Sequence, residues 1–364
     1  MPGLFFVLKM LAEVAHLSYS IAMNIALEKP TIRRKEMSAV LQTMADEQIG
    51  VGESTKQFTQ LLKEFLGIEG YGVTLRDLIY ALRIALLSLD LPSDAVIGIS
   101  ALSPKFYQNV ITSLGYSSHI FDIDSETGVI GYDDFINYTG RIDALILYEP
   151  YGNMVTTPLW REVEVPIIED ISESIGSCYD EITAGTIGDV VVASFEEAAV
   201  VSTAGGATIL TADEAIGKRL ATLVAPDLPY VALADLNAAL GVVQLGELRK
   251  NIEKRGAIFE RYRLSLMKGK HTLFGINEID YQSNGASFVV LLEAKAQQAQ
   301  KFCLNNGVSV AFAFENRVID DALERFDLYP QAIPAITRAL RFPLYPFLTK
   351  EQVRQVEKVL AHLP

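Results

Sequence analysis

Between residues 58 and 210 the chain alternates short, β-like runs, most of them largely apolar, with stretches of helical periodicity. No other feature constrains the fold as much. Strands buried on both faces belong to a parallel sheet, and parallel neighbours need crossover helices between them. The spacing predicts helices over residues 58–66, 78–89 and 106–114. A buried strand is expected over residues 95–99, with further strands over 118–123, 144–148, 166–169 and 190–195 and another beginning at 207–210.

The last third repeats the alternation on a smaller scale. A helical zone runs from residue 233 to about 266. It sets Glu247 three residues before Lys250 and Glu260 three before Arg263, the pattern of a solvated face. A strand over 286–293, a helix over 294–306, a strand over 308–314 and a final helix over 350–363 follow. Gly and Lys gather at 268–275, which sets a boundary. The expected fold class is α/β, in three parts: an amphipathic helical extension over 1–28, a large domain with a mostly parallel sheet over 29–267, and a smaller α/β domain over 268–364.

Charge and cysteine usage narrow the function classes. The 364 residues carry a formal charge of −14, which disfavours nucleic acid and anionic membrane surfaces. An anionic ligand would need a local basic pocket. Cys178 and Cys303 are far apart, and His16, His119, His271 and His362 are scattered. That predicts a reducing, cytoplasmic setting and no structural zinc. Near the N-terminus Lys9, Glu13, His16 and Ser20 interrupt an apolar run and share one helical face. A packing helix is therefore expected there, not a signal peptide or a membrane span. A natural start at Met23 would make the preceding residues an upstream extension.

Five blocks, in order, carry a resemblance. They are Val165 to Gly176 (VPIIEDISESIG), Gly185 to Phe195 (GTIGDVVVASF), Ser202 to Ala207 (STAGGA), Asp235 to Leu245 (DLNAALGVVQL) and Leu340 to Thr349 (LRFPLYPFLT). Together they resemble the DegT/StrS family of nucleotide-sugar aminotransferases, over roughly residues 25–363. The resemblance implies the fold of type I pyridoxal phosphate (PLP) enzymes, with the strand near 207 running against its neighbours. It also implies a homodimer with active sites at its interface and a ligand from nucleotide-sugar or surface-polysaccharide metabolism.

That chemistry needs a lysine for the Schiff base, a carboxylate on the pyridine nitrogen, and a cradle for the phosphate. In the resemblance Ala199 fills the lysine position, or Ala198 if the shorter segment is aligned the other way. No lysine lies between Lys105 and Lys218. Asp170 stands where the ring-nitrogen carboxylate belongs, and equally reads as a strand-end aspartate capping the next loop. Ser194 stands at a phosphate-binding serine and reads as a strand-end hydroxyl satisfied by backbone. Glu173 replaces a Gln or His beside the ring. Asp77, Leu78 and Ile79 replace a phosphate-binding Ser-Gly-Thr, and Pro104 replaces the ring-stacking aromatic. Tyr230, Val231 and Ala232 replace the Asn-x-Arg lent by a partner subunit. Were Glu196 or Glu197 to face a phosphate at about 4 Å, repulsion would cost roughly 4 kcal/mol at an effective dielectric near 20.

The expected function is a non-catalytic homologue or partner in sugar or polysaccharide metabolism. The alternative is a PLP- or PMP-dependent nucleotide-sugar aminotransferase, or a lysine-independent variant, acting on a keto-sugar. No covalent cofactor is expected. PLP or PMP binding through Asp170, Ser194 and Glu173 is implied by the resemblance alone.

Overall fold

The computed structural model describes residues 24–278 and 280–364. The expected helical face of Lys9, Glu13, His16 and Ser20 lies outside them. Strands β1 (Tyr71–Leu75), β2 (Val96–Ser100), β3 (Ser117–Phe121), β4 (Ala144–Tyr148) and β5 (Ile167–Asp170) come first. After a small hairpin, β6 (Cys178–Tyr179) and β7 (Ile182–Thr183), come β8 (Val190–Ser194) and β9 (Ala207–Thr211). The seven long strands form one sheet in the order β1-β9-β8-β5-β4-β2-β3. β9 pairs antiparallel with both neighbours, and the other pairs are parallel. This is the α/β sheet that the apolar runs predict. All five residues of β4 and of β9 are buried, so the chain there cannot alternate polar and apolar.

Helices α1 (Arg34–Ala45), α2 (Glu53–Leu66), α3 (Leu78–Ser88), α4 (Lys105–Ser113), α5 (Tyr132–Ile136), α6 (Glu214–Val224), α7 (Leu228–Val231), α8 (Asp235–Gly246) and α9 (Leu248–Leu266) connect and cover the sheet. α3 buries Ala81, Leu82, Ile84, Ala85 and Leu86, packing between the sheet and helices α4 and α6. Each large side chain among them contributes about 1.5–3 kcal/mol by leaving water. The helical zone from 233 to 266 is two helices, not one. Gly246 and Glu247 turn the chain, so that α8 packs on α1 and α2 while α9 runs off toward the second sheet.

That second sheet has four antiparallel strands in the order β10-β12-β14-β13. They are β10 (Thr272–Leu273), β12 (Phe288–Leu291), β13 (Ala311–Phe312) and β14 (Ala339–Phe342), and β11 (Tyr281–Gln282) joins the small hairpin instead. Helices α10 (Ala296–Asn305), α11 (Ala332–Arg338) and α12 (Lys350–Leu360) complete the region. Of the residues expected to form a strand over 308–314, only Ala311 and Phe312 join the ladder. Val308 instead bridges Ile25, which is 1% exposed in the same apolar cluster. α1, α5, α6, α7 and α11, with β1, β14 and the two-residue strands β6, β7, β10 and β11, have no counterpart among the predicted elements. α1 lacks a strong apolar stripe, exposing Met37, Leu41 and Met44, and β1 is a five-residue run interrupted by Gly72.

Candidate functional site

The connections leaving the carboxyl ends of β1, β2, β4, β5 and β8 surround a cleft of about 740 Å³. In open parallel sheets ligands bind at this edge, because the loops there diverge to opposite faces. The small sheet supplies the facing wall through Arg317, Arg341 and Tyr345. Asp170, Glu173, Ser194 and Ala199 all line this cleft, as do Asp77, Leu78, Ile79, Pro104 and Glu196. Residues scattered over more than a hundred positions are thus brought to one place. Tyr230 is not part of the lining and is 77% exposed on α7.

Asp170 ends β5 and is 1% exposed. One carboxylate oxygen accepts from the Ser172 backbone N–H at 2.9 Å and from Ser172 Oγ at 2.5 Å. The other accepts from the hydroxyl of Tyr107, itself fully buried on α4. Asp170 therefore caps the following turn, and it also lines the cleft. Burial pushes its pKa above the ordinary aspartate range, and the Ser172 and Tyr107 donors hold the rise back. Tyr107 is held well above the usual tyrosine pKa by burial and by the Asp170 charge, so it remains a donor.

Glu173 accepts from the Tyr148 hydroxyl and from the Tyr151 backbone N–H, both at 2.9 Å. The second bond depends on an unusual backbone. Tyr151 sits in the left-handed region at φ 51°, a conformation that costs a non-glycine residue stability and must be imposed by its surroundings. Ser194 is half-buried, and its backbone N–H donates to Ser172 Oγ at 2.8 Å.

The loop after β8 forms the rim. Phe195 anchors it from below, accepting from the N–H groups of Thr203 and Gly205 at 3.0 Å and donating to Gly206 at 2.8 Å. Gly205 and Gly206, at φ 108° and 120°, return the chain to β9 through backbone space closed to other residues. Between them and Phe195, the Ala199 N–H donates to the Glu196 carbonyl at 3.0 Å, closing a turn that faces the cleft. Two lysines also line the cleft, Lys29 and Lys105, and the latter is paired with Asp321 at 2.7 Å.

The N-terminus of α3 opens onto the cleft as well. Asp77 is its N-cap, with its carboxylate accepting from the Tyr80 N–H at 2.7 Å. A helix N-terminus is a ready anion site, and here the chain's own carboxylate is bound at it. Deeper in the wall lie two groups with no sequence signal for function. Tyr107 reads as one more aromatic in an amphipathic helix. Arg317 lies in a connection without periodicity, and only the path of the chain brings it to Tyr148, whose hydroxyl accepts from its Nη1 at 3.3 Å.

Comparison with known proteins matches this arrangement. The chain is 24% identical to the dTDP-4-dehydro-2,3,6-trideoxy-D-glucose 4-aminotransferase of Saccharopolyspora spinosa, covering 91% of this chain and 94% of that protein. The crystal structure of the aminotransferase TlmJ from Streptoalloteichus hindustanus superimposes with a TM-score of 0.82 at 23% identity, over 93% of this chain and 98% of that one. The PMP form of Spr1654 from Streptococcus pneumoniae gives a TM-score of 0.81 at 20% identity, over 93% and 97%. Residues 30–361 match the sequence profile built from this group of enzymes, so that sheet, cleft and small sheet all fall within the match, and the chain belongs to the DegT/DnrJ/EryC1/StrS aminotransferase family.

Proposed function

We propose that this member of the family uses its cleft to bind a sugar-class ligand and does not hold PLP as a Schiff base. One observation carries the reading: the loop between Ser194 and Gly206, where the cofactor lysine belongs by resemblance, presents Ala198 and Ala199 to the cleft. An alanine methyl can neither condense with an aldehyde nor carry a proton. The rest of the cleft supports the same conclusion. Asp77 occupies the α3 N-terminus, Glu196 adds a further carboxylate to the lining, and Pro104 offers no aromatic face. PLP held covalently does not fit these residues.

The relatives' names and the buried Asp170 favour a second reading, a PLP- or PMP-dependent aminotransferase acting on a nucleotide-linked keto-sugar. Asp170 retains the place of a ring-nitrogen carboxylate, although its oxygens are already engaged by Ser172 and Tyr107. One experiment separates the two. Purified protein is mixed with PLP, scanned in the near-visible range, reduced with borohydride and digested for peptide mass. The first reading expects no new absorption band and no modified peptide. A band fixed by borohydride to a peptide carrying Lys29 or Lys105 would overturn it and establish the second.

The exposed Tyr230 on α7 supports a homodimer in which this surface is covered, and light scattering measures it directly. Cys178 and Cys303 are both free thiols, which supports a reducing, cytoplasmic compartment. No helix among the described residues is long and apolar enough to cross a membrane.

A further inference from the structure

The cations of the cleft lining are engaged by the protein's own groups. Arg317 Nη1 donates to the Leu102 carbonyl at 3.1 Å and to the Tyr148 hydroxyl at 3.3 Å, and its Nε is buried. Arg255 Nη1 donates to the Gly285 and Leu344 carbonyls at 2.9 and 2.6 Å. Arg341 is paired with Glu28, and Lys105 with Asp321. Lys29 is the remaining cation of the lining, and it is solvent-exposed.

The carboxylates are disposed differently. Both hydrogen bonds to Glu173 fall on one oxygen, Oε2, which the Tyr148 hydroxyl and the Tyr151 N–H reach at 2.9 Å. The other oxygen, Oε1, accepts from no group of the described residues, and Glu173 lines the cleft. Its direction is set twice over. Tyr148 is itself held by Arg317, and Tyr151 donates from a left-handed backbone at φ 51°. Strain of that kind is kept where the surroundings impose it, and here it orients a carboxylate toward open space. Glu196 and Glu315 also line the cleft and form no ion pair among the described residues. At the α3 N-terminus Asp77 already accepts from Tyr80.

We propose that Glu173 is the specificity-determining residue of the cleft: its Oε1 accepts a hydrogen bond from a hydroxyl of a neutral sugar, and phosphorylated sugars are rejected. The proposal rests on the sugar-class reading above, in which no covalent PLP fills the space beside Asp170. A carboxylate oxygen needs a donor. A sugar hydroxyl supplies one, whereas an ionised phosphate offers acceptors alone. Phe106 and Tyr345 give the same space aromatic walls, and Asn109 and Asn316 bring amides that both donate and accept. A neutral ligand also needs no counter-charge, which suits a chain with a formal charge of −14 and a lining whose arginines are already engaged.

Calorimetric titration of the full chain with glucose, galactose and mannose, each beside its 1-phosphate, tests this. At least one free sugar is expected to bind, and its 1-phosphate about tenfold more weakly, because like charges set against each other discriminate strongly. Glu173→Gln should weaken that free sugar about tenfold, the worth of a hydrogen bond to a charged group, without weakening the 1-phosphate. The ratio of the two affinities then collapses. A residue that only supported the fold would weaken both alike. No binding of any free sugar, a 1-phosphate that binds as tightly as its free sugar, or an unchanged ratio in a folded Glu173→Gln variant would each overturn the proposal. Should Glu173→Gln not fold, Glu173→Asp decides, since it keeps the charge and withdraws Oε1 by one methylene. The free sugar should again lose about tenfold, and wild-type affinity counts against the assignment. Borohydride capture of PLP would sink the underlying reading by a separate measurement, whereas a failed ratio without capture sinks this one alone.

Discussion

The two edges of the central sheet treat charge in opposite ways. At the amino edge, carboxylates cap strand starts and stay near water. Asp143 accepts from the Val96 N–H at 2.8 Å, and Asp189 from the Ile167 N–H at 2.8 Å. Arg141 sits between Asp143 and Asp94, largely exposed. At the carboxyl edge, Glu149, Glu169, Asp170 and Arg317 are buried, and none of them forms an ion pair among the described residues. Opposite charges at the first edge cancel pairwise and cheaply. Those at the second are satisfied by hydroxyls and backbone N–H groups instead. Stability alone would not favour that arrangement.

The sharpest way to break this contrast is Glu169→Ala. Glu169 accepts from the N–H groups of Gly185, Ile187 and Gly188 at 2.6–2.8 Å. Its removal leaves three buried donors unpaired and should cost roughly 3–5 kcal/mol in denaturant unfolding. A loss below about 1 kcal/mol would mean that water reaches this edge as freely as the other. Next comes Tyr107→Phe, which takes one donor from Asp170 and should cost about 2 kcal/mol. An unchanged unfolding midpoint would show that the Tyr107 bond does not hold the floor of the cleft.

Glu149 sharpens the comparison through pH. Burial, then the neighbouring Glu169 charge, raises its pKa well above the glutamate range, against hydrogen bonds from Ser174 and the Val155 N–H. Of the pair, Glu169 keeps the charge because three N–H groups favour its ionised form. A carboxyl whose folded pKa is raised contributes stability below its unfolded pKa and loses it as pH rises through the folded value. Each unit of rise is about 1.4 kcal/mol. Glu149→Gln should therefore be increasingly more stable than the wild type as pH climbs from the ordinary glutamate range toward neutrality. Parallel melting curves at all pH values would sink the assignment. The smallest effect is expected at the amino edge. Asp94→Asn removes a solvent-exposed partner of Arg141 and should move the melting temperature by no more than ~1 °C. A larger loss would make the two edges alike.

Much of the sheet was legible along the chain. Residues 144–148 and 190–195 predict β4 and β8 because nearly continuous apolar runs have one common explanation, burial on both faces. The break between α8 and α9 was not legible, because Gly246 and Glu247 are tolerated inside helices, and only the two packing surfaces they serve require the turn. In the site, Asp170, Glu173, Ser194 and Ala199 could be placed by resemblance because they follow strand ends in sequence. Tyr107 could not, since a buried tyrosine on a helix face looks the same whether it fills a core or meets a carboxylate.

Spacing along the chain settles the local facts: which runs must be buried, where strands end, and that no lysine stands between Lys105 and Lys218. Those follow from neighbours a few residues apart, and periodicity records them. Only the tertiary structure decided that Asp170 is shared between Ser172 and Tyr107, and that Arg317 reaches the same cleft from the far wall with its Nε unpartnered. Such meetings depend on strand order and on the path of connections between two sheets. No spacing along a chain encodes them, because the groups that meet are neighbours in space alone.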